Sequence, residues 1–406
     1  MIDIPRDLLP GAEIELDLLS PDSYRPGQTR SRGDQSLIDK AATVLSAAQR
    51  PVILAGGGVQ WSNAGDEVCR MSELTGAAIV TSYGRADAVP NDHPNYLGHL
   101  GRLGSAEGIE AVRQADTILA VGTRLSQSTT FYDNRFIPED AKIIQIEIDP
   151  QEIGRNYPVT VGIEGDAKAV MEGLLEKMRD REPRPNQQWV SEIGDWNHRR
   201  ASRLQDEEKL SGLPIKPQRA YAELRKVMPR DAIVALDAGL APNYGQDRLN
   251  YYEPRSLITS LDLGGLGFSF PAAIGAKFAA PDRPVINFNG DGGFLFNAQE
   301  FSTAVQYNLP LVTVIMNNGI WGSEKAYQRY AFDERYVGAD VTNPRFDKYA
   351  EIFGGAGFYV ERPEDIGNAL QEALNCGKPS IIEIPTDPDE MPRPARLAEV
   401  QAPPQG

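Results

Sequence analysis

Asp291 sits between glycines in VINFNGDGGF, and with 24 residues between, Gly292 is followed by a pair of asparagines, Asn317 and Asn318. Each point closes a short apolar run, PVINFNGD (284–291) and LVTVIMNN (311–318), and NAQEFSTAVQY (297–307) between them has helical spacing. One strand–helix–strand unit therefore separates the two polar points. A right-handed crossover brings both strand ends to one edge of a parallel sheet, where ligands of open α/β sheets bind. The Asp291 carboxylate and the Asn318 side-chain carbonyl are hard oxygen donors of the kind Mg²⁺ takes. Gly290, Gly292 and Gly293 let the backbone approach a phosphate and present its N–H groups, and the following helix adds a positive end. A metal ion with a diphosphate is the economical reading. Asp-Gly at a strand end, or Asn-Gly at 318–319, is by itself ordinary turn chemistry; the joint spacing carries the argument.

The elements that must position these residues read as two doubly wound α/β domains. Residues 1–35 form an irregular leading segment. From 36 to 180, apolar runs alternate with helical patterns. PVILAG (51–56), AAIVTS (77–82), TILAVG (117–122) and KIIQIEID (142–149) read as buried parallel strands, with helices such as 36–48 and 64–76 between them. Residues 181–213 are polar and read as a linker, in which 189–204 has the spacing of a helix carrying Trp189 and Trp196 on related faces. The second domain spans 214–390, with strands AIVALD (232–237), SLITSLD (256–262), 284–291, 311–318 and SIIEIPTD (380–387). The remainder, 391–406, is a Pro-rich tail.

The chain has 406 residues, 41% of them hydrophobic, and a formal charge of −16. Nucleic acid is an unsuitable partner, because phosphate backbones demand clustered Lys and Arg. No apolar run approaches the roughly 20 residues of a membrane span, and no secretory signal opens the sequence. Cys69 and Cys376 are the only cysteines and His93, His99 and His198 the only histidines. Their spacing suggests neither a disulfide framework nor a zinc site, and a reducing cytoplasm is expected. AGGG (55–58) follows a strand without the rest of a dinucleotide fingerprint.

Gly290-Asp291-Gly292 and Asn317-Asn318 at this spacing resemble the thiamine-diphosphate (ThDP) motif of the acetolactate synthase and pyruvate decarboxylase superfamily. DLGGLGFSFPAAIGAKFAAPDRPVI (262–286) and PIKPQRAYAELRKVMP (214–229) resemble the flanking parts of its diphosphate-binding domain, and PVILAGGG, AVGTRLS and IIQIEIDPQEIG its central domain. NNGIWGSEKAYQRY (317–330) and DERYVGAD (333–340) are similar to sulfoacetaldehyde acetyltransferases. The resemblance implies that Asp291, Asn318 and the backbone carbonyl of Ile320 hold Mg²⁺. It places Gly290, Gly292, Gly293, Trp321, Gly322 and the loop Asp237-Ala238-Gly239-Leu240 against the diphosphate, with Gly264 also on the cofactor. Leu266 falls under the cofactor's bend; an ordinary core leucine is the plain alternative. Glu324, six residues after Asn318, falls at an active-site glutamate that could act as acid or base; a solvated first-turn residue beside Lys325 is its alternative. FAD, ADP or nothing occupies the central domain of relatives, and Arg124 and Asp149 stand at strand ends where a nucleotide would lie. Asp149 before Pro150 reads more simply as a helix cap. The loop 91–105 approaches the substrate entrance in relatives, which leaves a substrate role open for His99 and Arg102.

In that superfamily a glutamate from an N-terminal pyrimidine-binding domain completes the cofactor site. The segment that usually follows that domain resembles IPRD, residues 4–7. The expectation is a split enzyme, with this chain the diphosphate-binding subunit, a separate pyrimidine-binding subunit its partner and a heterotetramer the assembly; an artificial fragment and a non-catalytic relative are the alternatives. The implied activity is carboligation or acyl transfer at a carbonyl, from a 2-oxo acid such as pyruvate or an aldehyde. A simple 2-oxo acid decarboxylase is the alternative within the class, and a non-catalytic scaffolding subunit the alternative outside it.

Overall fold

The computed structural model describes residues 3–8, 11, 15–24, 29–134 and 136–392, so the tail expected at 391–406 lies, from 393 on, outside the described residues. The chain divides into two units, Met1–Arg30 and Ser31–Gly406. The first contains two short 3-10 turns, Arg6–Leu8 and Pro21–Tyr24.

The second unit contains two six-stranded parallel sheets, the two α/β layers expected from the alternating pattern. The first sheet comprises β1 (Pro51–Ala55), β2 (Ala78–Thr81), β3 (Tyr96–His99), β4 (Thr117–Val121), β5 (Lys142–Glu147) and β6 (Val161–Glu164), in the order β3-β2-β1-β4-β5-β6. The second comprises β7 (Ile233–Leu236), β8 (Leu257–Thr259), β9 (Val285–Gly290), β10 (Val312–Asn317), β11 (Ala356–Tyr359) and β12 (Ser380–Pro385), in the order β11-β12-β10-β9-β7-β8. Every residue of β1, β2 and β4 is buried. Helices cover both faces of these central strands, so alternation disappears and the sequence reads as continuous apolar runs. The strands absent from the sequence reading, β3, β6 and β11, all lie at sheet edges. β3 is interrupted by Gly98, at φ +96°, and β6 and β11 are only partly buried, so none shows a sustained apolar run.

Residues Gln187–Asp206 form a helix that joins the layers. Its Trp189 and Trp196 rings meet edge to face at 5.2 Å, and Trp189 Nε1 donates to the Pro51 carbonyl at the start of β1 (3.1 Å). At its other end Arg200 and Arg203 both grip Asp247 of the second α/β layer, at 2.9 Å each. Burial alone would push the Asp247 carboxyl up, but the guanidiniums of Arg200, Arg203 and Arg248 hold it well below the usual carboxylate range. Removing one member would strand the others as buried charges.

A second buried carboxylate joins the layers through hydrogen bonds and not through an ion pair. Asp87 Oδ2 accepts from the Leu257 N–H at the start of β8 (3.0 Å) and from Gln60 Nε2 (2.7 Å). Burial pushes its carboxyl up to about 6, against those hydrogen bonds. The native state keeps this proton to higher pH than the unfolded chain does. Unfolding free energy must therefore fall as pH rises from about 4 to about 6, by up to about 3 kcal/mol, and level off above. Asp87→Asn should remove that component. In a series of melts, the variant's melting temperature should gain on the parent's between pH 4 and 6; parallel profiles would refute the assignment.

Candidate active site

Asp291 and Asn318 meet as their spacing requires. β9 and β10 are parallel neighbours in register, with Met316 opposite Gly290, so both polar points emerge at the same sheet edge. The strand order reverses between β7 and β9, and the crevice opens beyond their carboxyl ends. There lies a cleft of about 250 Å³. Gly239, Leu240, Gly264, Leu266, Gly290, Asp291, Gly292, Gly293, Asn318, Ile320, Trp321, Gly322 and Glu324 all line it.

The two asparagines have divided roles. Asn317 turns inward: its Nδ2 donates to Glu383 Oε1 (2.8 Å), and the other Glu383 oxygen accepts from the backbone N–H groups of Phe346 and Asp347. Asn318 lines the cleft, its Oδ1 accepting only a 3.3 Å bond from the Ile320 N–H. Asn343, which the sequence reading did not single out, bridges the motif. Its Nδ2 donates both to Asp291 Oδ2 (2.6 Å) and to Asn317 Oδ1 (2.9 Å). The Asn-Pro pair at 343–344 marked a turn, but nothing in the sequence said which way the amide points.

Asp291 is 2% exposed, and the Gly319 N–H (2.9 Å) adds to the Asn343 bond. Burial pushes its carboxyl up, those hydrogen bonds oppose it, and no cationic side chain is among its neighbours. A desolvated carboxylate without a protein cation suits a bound metal ion. Among the described residues there is no cluster of three or more His, Cys, Asp or Glu. The site offers one carboxylate, one amide and the Ile320 carbonyl, so a hard cation would complete its shell from phosphate or water.

The glycines differ in what they make room for. A side chain at Gly292 would strike the Trp321 ring, 2.6 Å from its nearest carbon, and one at Gly293 would strike the Asp237 carboxylate. A Cβ on Gly290 would meet nothing within 4 Å, at an ordinary extended φ of −78°. Its bareness leaves space in the cleft, as a diphosphate cradle needs. Gly239 (φ +127°) is the turn that delivers Ala238 and Leu240 to the cleft. Asp237 departs from the expectation of a diphosphate contact. Its carboxylate points inward, fully buried, and accepts from the Gly267 N–H (2.9 Å), the Ser269 N–H (3.3 Å) and Asn289 Nδ2 (2.9 Å).

Leu266 is half-buried on the cleft wall, and Glu324 is exposed in the first turn of the helix Gly322–Ala331. Lys325 turns away to Asp340 (2.7 Å), so it does not neutralise Glu324. His99 is fully buried, its Nδ1 2.8 Å from the Leu100 carbonyl, and does not line the cleft; Arg102 does. Arg124 lines a separate cleft beyond the ends of β1 and β4, beside Gly57, Gly58 and Glu147, where a nucleotide in this layer would lie. Asp149 is not part of that cleft and instead caps a 3-10 turn, accepting from the Gln151 N–H (3.0 Å). The glycine geometry predicts that Gly293→Ala lowers stability by about 1–3 kcal/mol through overpacking, whereas Gly290→Ala leaves it unchanged; urea melts of the two variants would check the contrast.

Comparison with known proteins agrees with this geometry. Residues 38–174 match the central domain of thiamine pyrophosphate enzymes, and residues 237–384 their C-terminal TPP binding domain. The chain is 33% identical to a sulfoacetaldehyde acetyltransferase of Castellaniella defragrans, over 98% of this chain and 71% of the relative. It is 34% identical to a probable acetolactate synthase large subunit of Methanocaldococcus jannaschii (99% and 69%), and 30% identical to the acetolactate synthase large subunit of Haemophilus influenzae (98% and 70%). Similarity of this extent, running through both α/β layers and the cleft, makes the chain a member of the thiamine pyrophosphate enzyme family, related to acetolactate synthases and sulfoacetaldehyde acetyltransferases.

Proposed function

We propose that this chain is the diphosphate-binding subunit of a ThDP- and Mg²⁺-dependent carboligase or acyltransferase. It makes or breaks a carbon–carbon bond next to a carbonyl, with pyruvate, another 2-oxo acid or a sulfoacetaldehyde-like aldehyde as donor. The observation that carries the reading is the buried, cation-free Asp291 beside Asn318 and a run of bare glycines at adjacent strand ends. In this reading Asp291, Asn318 and the Ile320 carbonyl hold Mg²⁺. The backbone of 290–293, with Gly239, Leu240 and the turn at Trp321 and Gly322, holds the diphosphate. Asn343 keeps the Asp291 carboxylate aimed. Gly264 and Leu266 meet the cofactor's middle, and Glu324 takes or gives a proton beside the reacting carbonyl. Bound ThDP supplies the electron sink.

A pyrimidine-binding domain on a partner chain completes the site in this proposal, in a heterotetramer. Support comes from the segments that line the cleft. Leu263 is 92% exposed and Phe268 and Phe296 about half exposed, on segments that also supply Gly264, Leu266 and Gly293. Exposed apolar side chains on these segments suit a covering protein surface.

The test is pyruvate consumption with ThDP and Mg²⁺, by this chain alone and mixed with a pyrimidine-binding subunit. Turnover confined to the mixture is the expected result; equal turnover by the chain alone would remove the partner from the proposal. Asp291→Ala should weaken Mg²⁺-dependent ThDP binding by about a hundredfold or more in calorimetry. A variant that binds both normally would sink the metal assignment.

A further inference from the structure

The wall of the cleft contributed by the first α/β layer has no role in the reading above. Tyr83 and Arg102 line the cleft from that layer, and Tyr83 bonds Asn243 of the second, which lines it too. Arg102 is the only basic residue lining the cleft, against the acidic Asp291 and Glu324. It is exposed in the loop between β3 and the helix Ala106–Arg113, and it has no carboxylate partner among the described residues. Arg85 and Arg200, by contrast, are paired with Asp262 and Asp247.

The orientation of the Asn243 amide follows from a chain of hydrogen bonds that begins at a group with no freedom. The Gly84 backbone N–H can only donate, and it donates to Gln246 Oε1 (2.6 Å). Gln246 is fully buried, so its remaining end, Nε2, must be the donor toward Asn243 Oδ1 (3.3 Å). Asn243 Oδ1 also accepts from the Tyr83 hydroxyl (2.8 Å). Both bonds fix the oxygen of Asn243 toward the protein and leave its NH₂ as the free end. Tyr83 has spent its only proton on Asn243, so its phenol is no donor to a ligand. The donors this wall can offer are therefore the Arg102 guanidinium and the Asn243 NH₂, one from each layer.

We propose that Arg102 and Asn243 form a subsite for an oxyanion carried by a substrate: a carboxylate, a sulfonate or a phosphate. Gln246 acts as a positioning residue, holding the amide with its donor end outward. The inference rests on the function proposed above and deepens it by assigning the substrate's charged group to named side chains. Diphosphate recognition stays with the glycine turn and Asp291, which belong entirely to the second layer.

The experiment uses the chain loaded with ThDP and Mg²⁺ and assembled with its pyrimidine-binding partner. Pyruvate, sulfoacetaldehyde and inorganic phosphate serve as anionic probes, and acetaldehyde as a neutral one. Calorimetric binding and steady-state KM are measured for the parent, Arg102→Met and Asn243→Asp. The aspartate keeps an oxygen for Tyr83 and Gln246 while replacing the free donor with an acceptor. Each variant should weaken at least one anionic probe on the order of tenfold to a hundredfold, as for a lost charge-assisted bond, with ThDP affinity and acetaldehyde unchanged; the probe affected identifies which oxyanion is held. Unchanged affinity for all three anions would overturn the subsite, as would a matching loss of ThDP affinity, which would put Arg102 on the cofactor. If the parent binds none of the anions, the subsite is also wrong. If it binds one without turning it over, the proposed activity fails, while the binding comparison still decides the subsite.

Discussion

The Asp237 carboxylate is the constraint on which the site depends. It follows β7 and is completely buried, yet it accepts from donors in two other places, Gly267 and Ser269 before and at the start of the next helix and Asn289 of β9, and the glycine turn packs on it at Gly293. Burial pushes its carboxyl up, and these hydrogen bonds restrain the shift. A buried carboxylate tolerates few arrangements, because each unmet lone pair costs about 1–3 kcal/mol. The segments that supply Leu266, Gly290 and Gly293 are therefore tied to one point. Asp291 can stand two residues from Asn289 with its carboxylate available because the neighbouring acid takes the structural burden.

The second requirement is that the cleft belongs to two layers. The helix Gln187–Asp206 anchors one end under β1 through Trp189 and the other on Asp247 through Arg200 and Arg203. Asp87 and Gln246 add buried hydrogen bonds between the layers. With several desolvated polar groups satisfied only by the opposite layer, a slip between layers would leave them unpaired. The Arg102 loop is thereby held over a cleft whose glycines, Asp291 and Asn318 all lie in the other layer.

The sequence carried a great deal of this protein. Fully buried central strands appear as uninterrupted apolar runs, so both parallel sheets were legible, and the crossover rule turns the distance between Asp291 and Asn318 in the sequence into adjacency. The edge strands β6 and β11 were not legible, because a strand covered on fewer sides has no need of a continuous apolar run, and the short buried β3 is interrupted by Gly98.

What the sequence determined by itself is which strand ends and glycines meet at the cleft. Chain direction, crossover handedness and glycine placement are local or topological properties, and they fix where backbone ends emerge. Only the tertiary structure decided what each side chain does there. Asp237 and Asn317 turned inward, Asn318 faced the cleft, Asn343 arrived from a distant turn, and His99 was buried while Arg102 was left unpaired. Those outcomes depend on which donors and acceptors meet after packing, often between residues far apart in the chain. The spacing along one strand or helix does not contain that information.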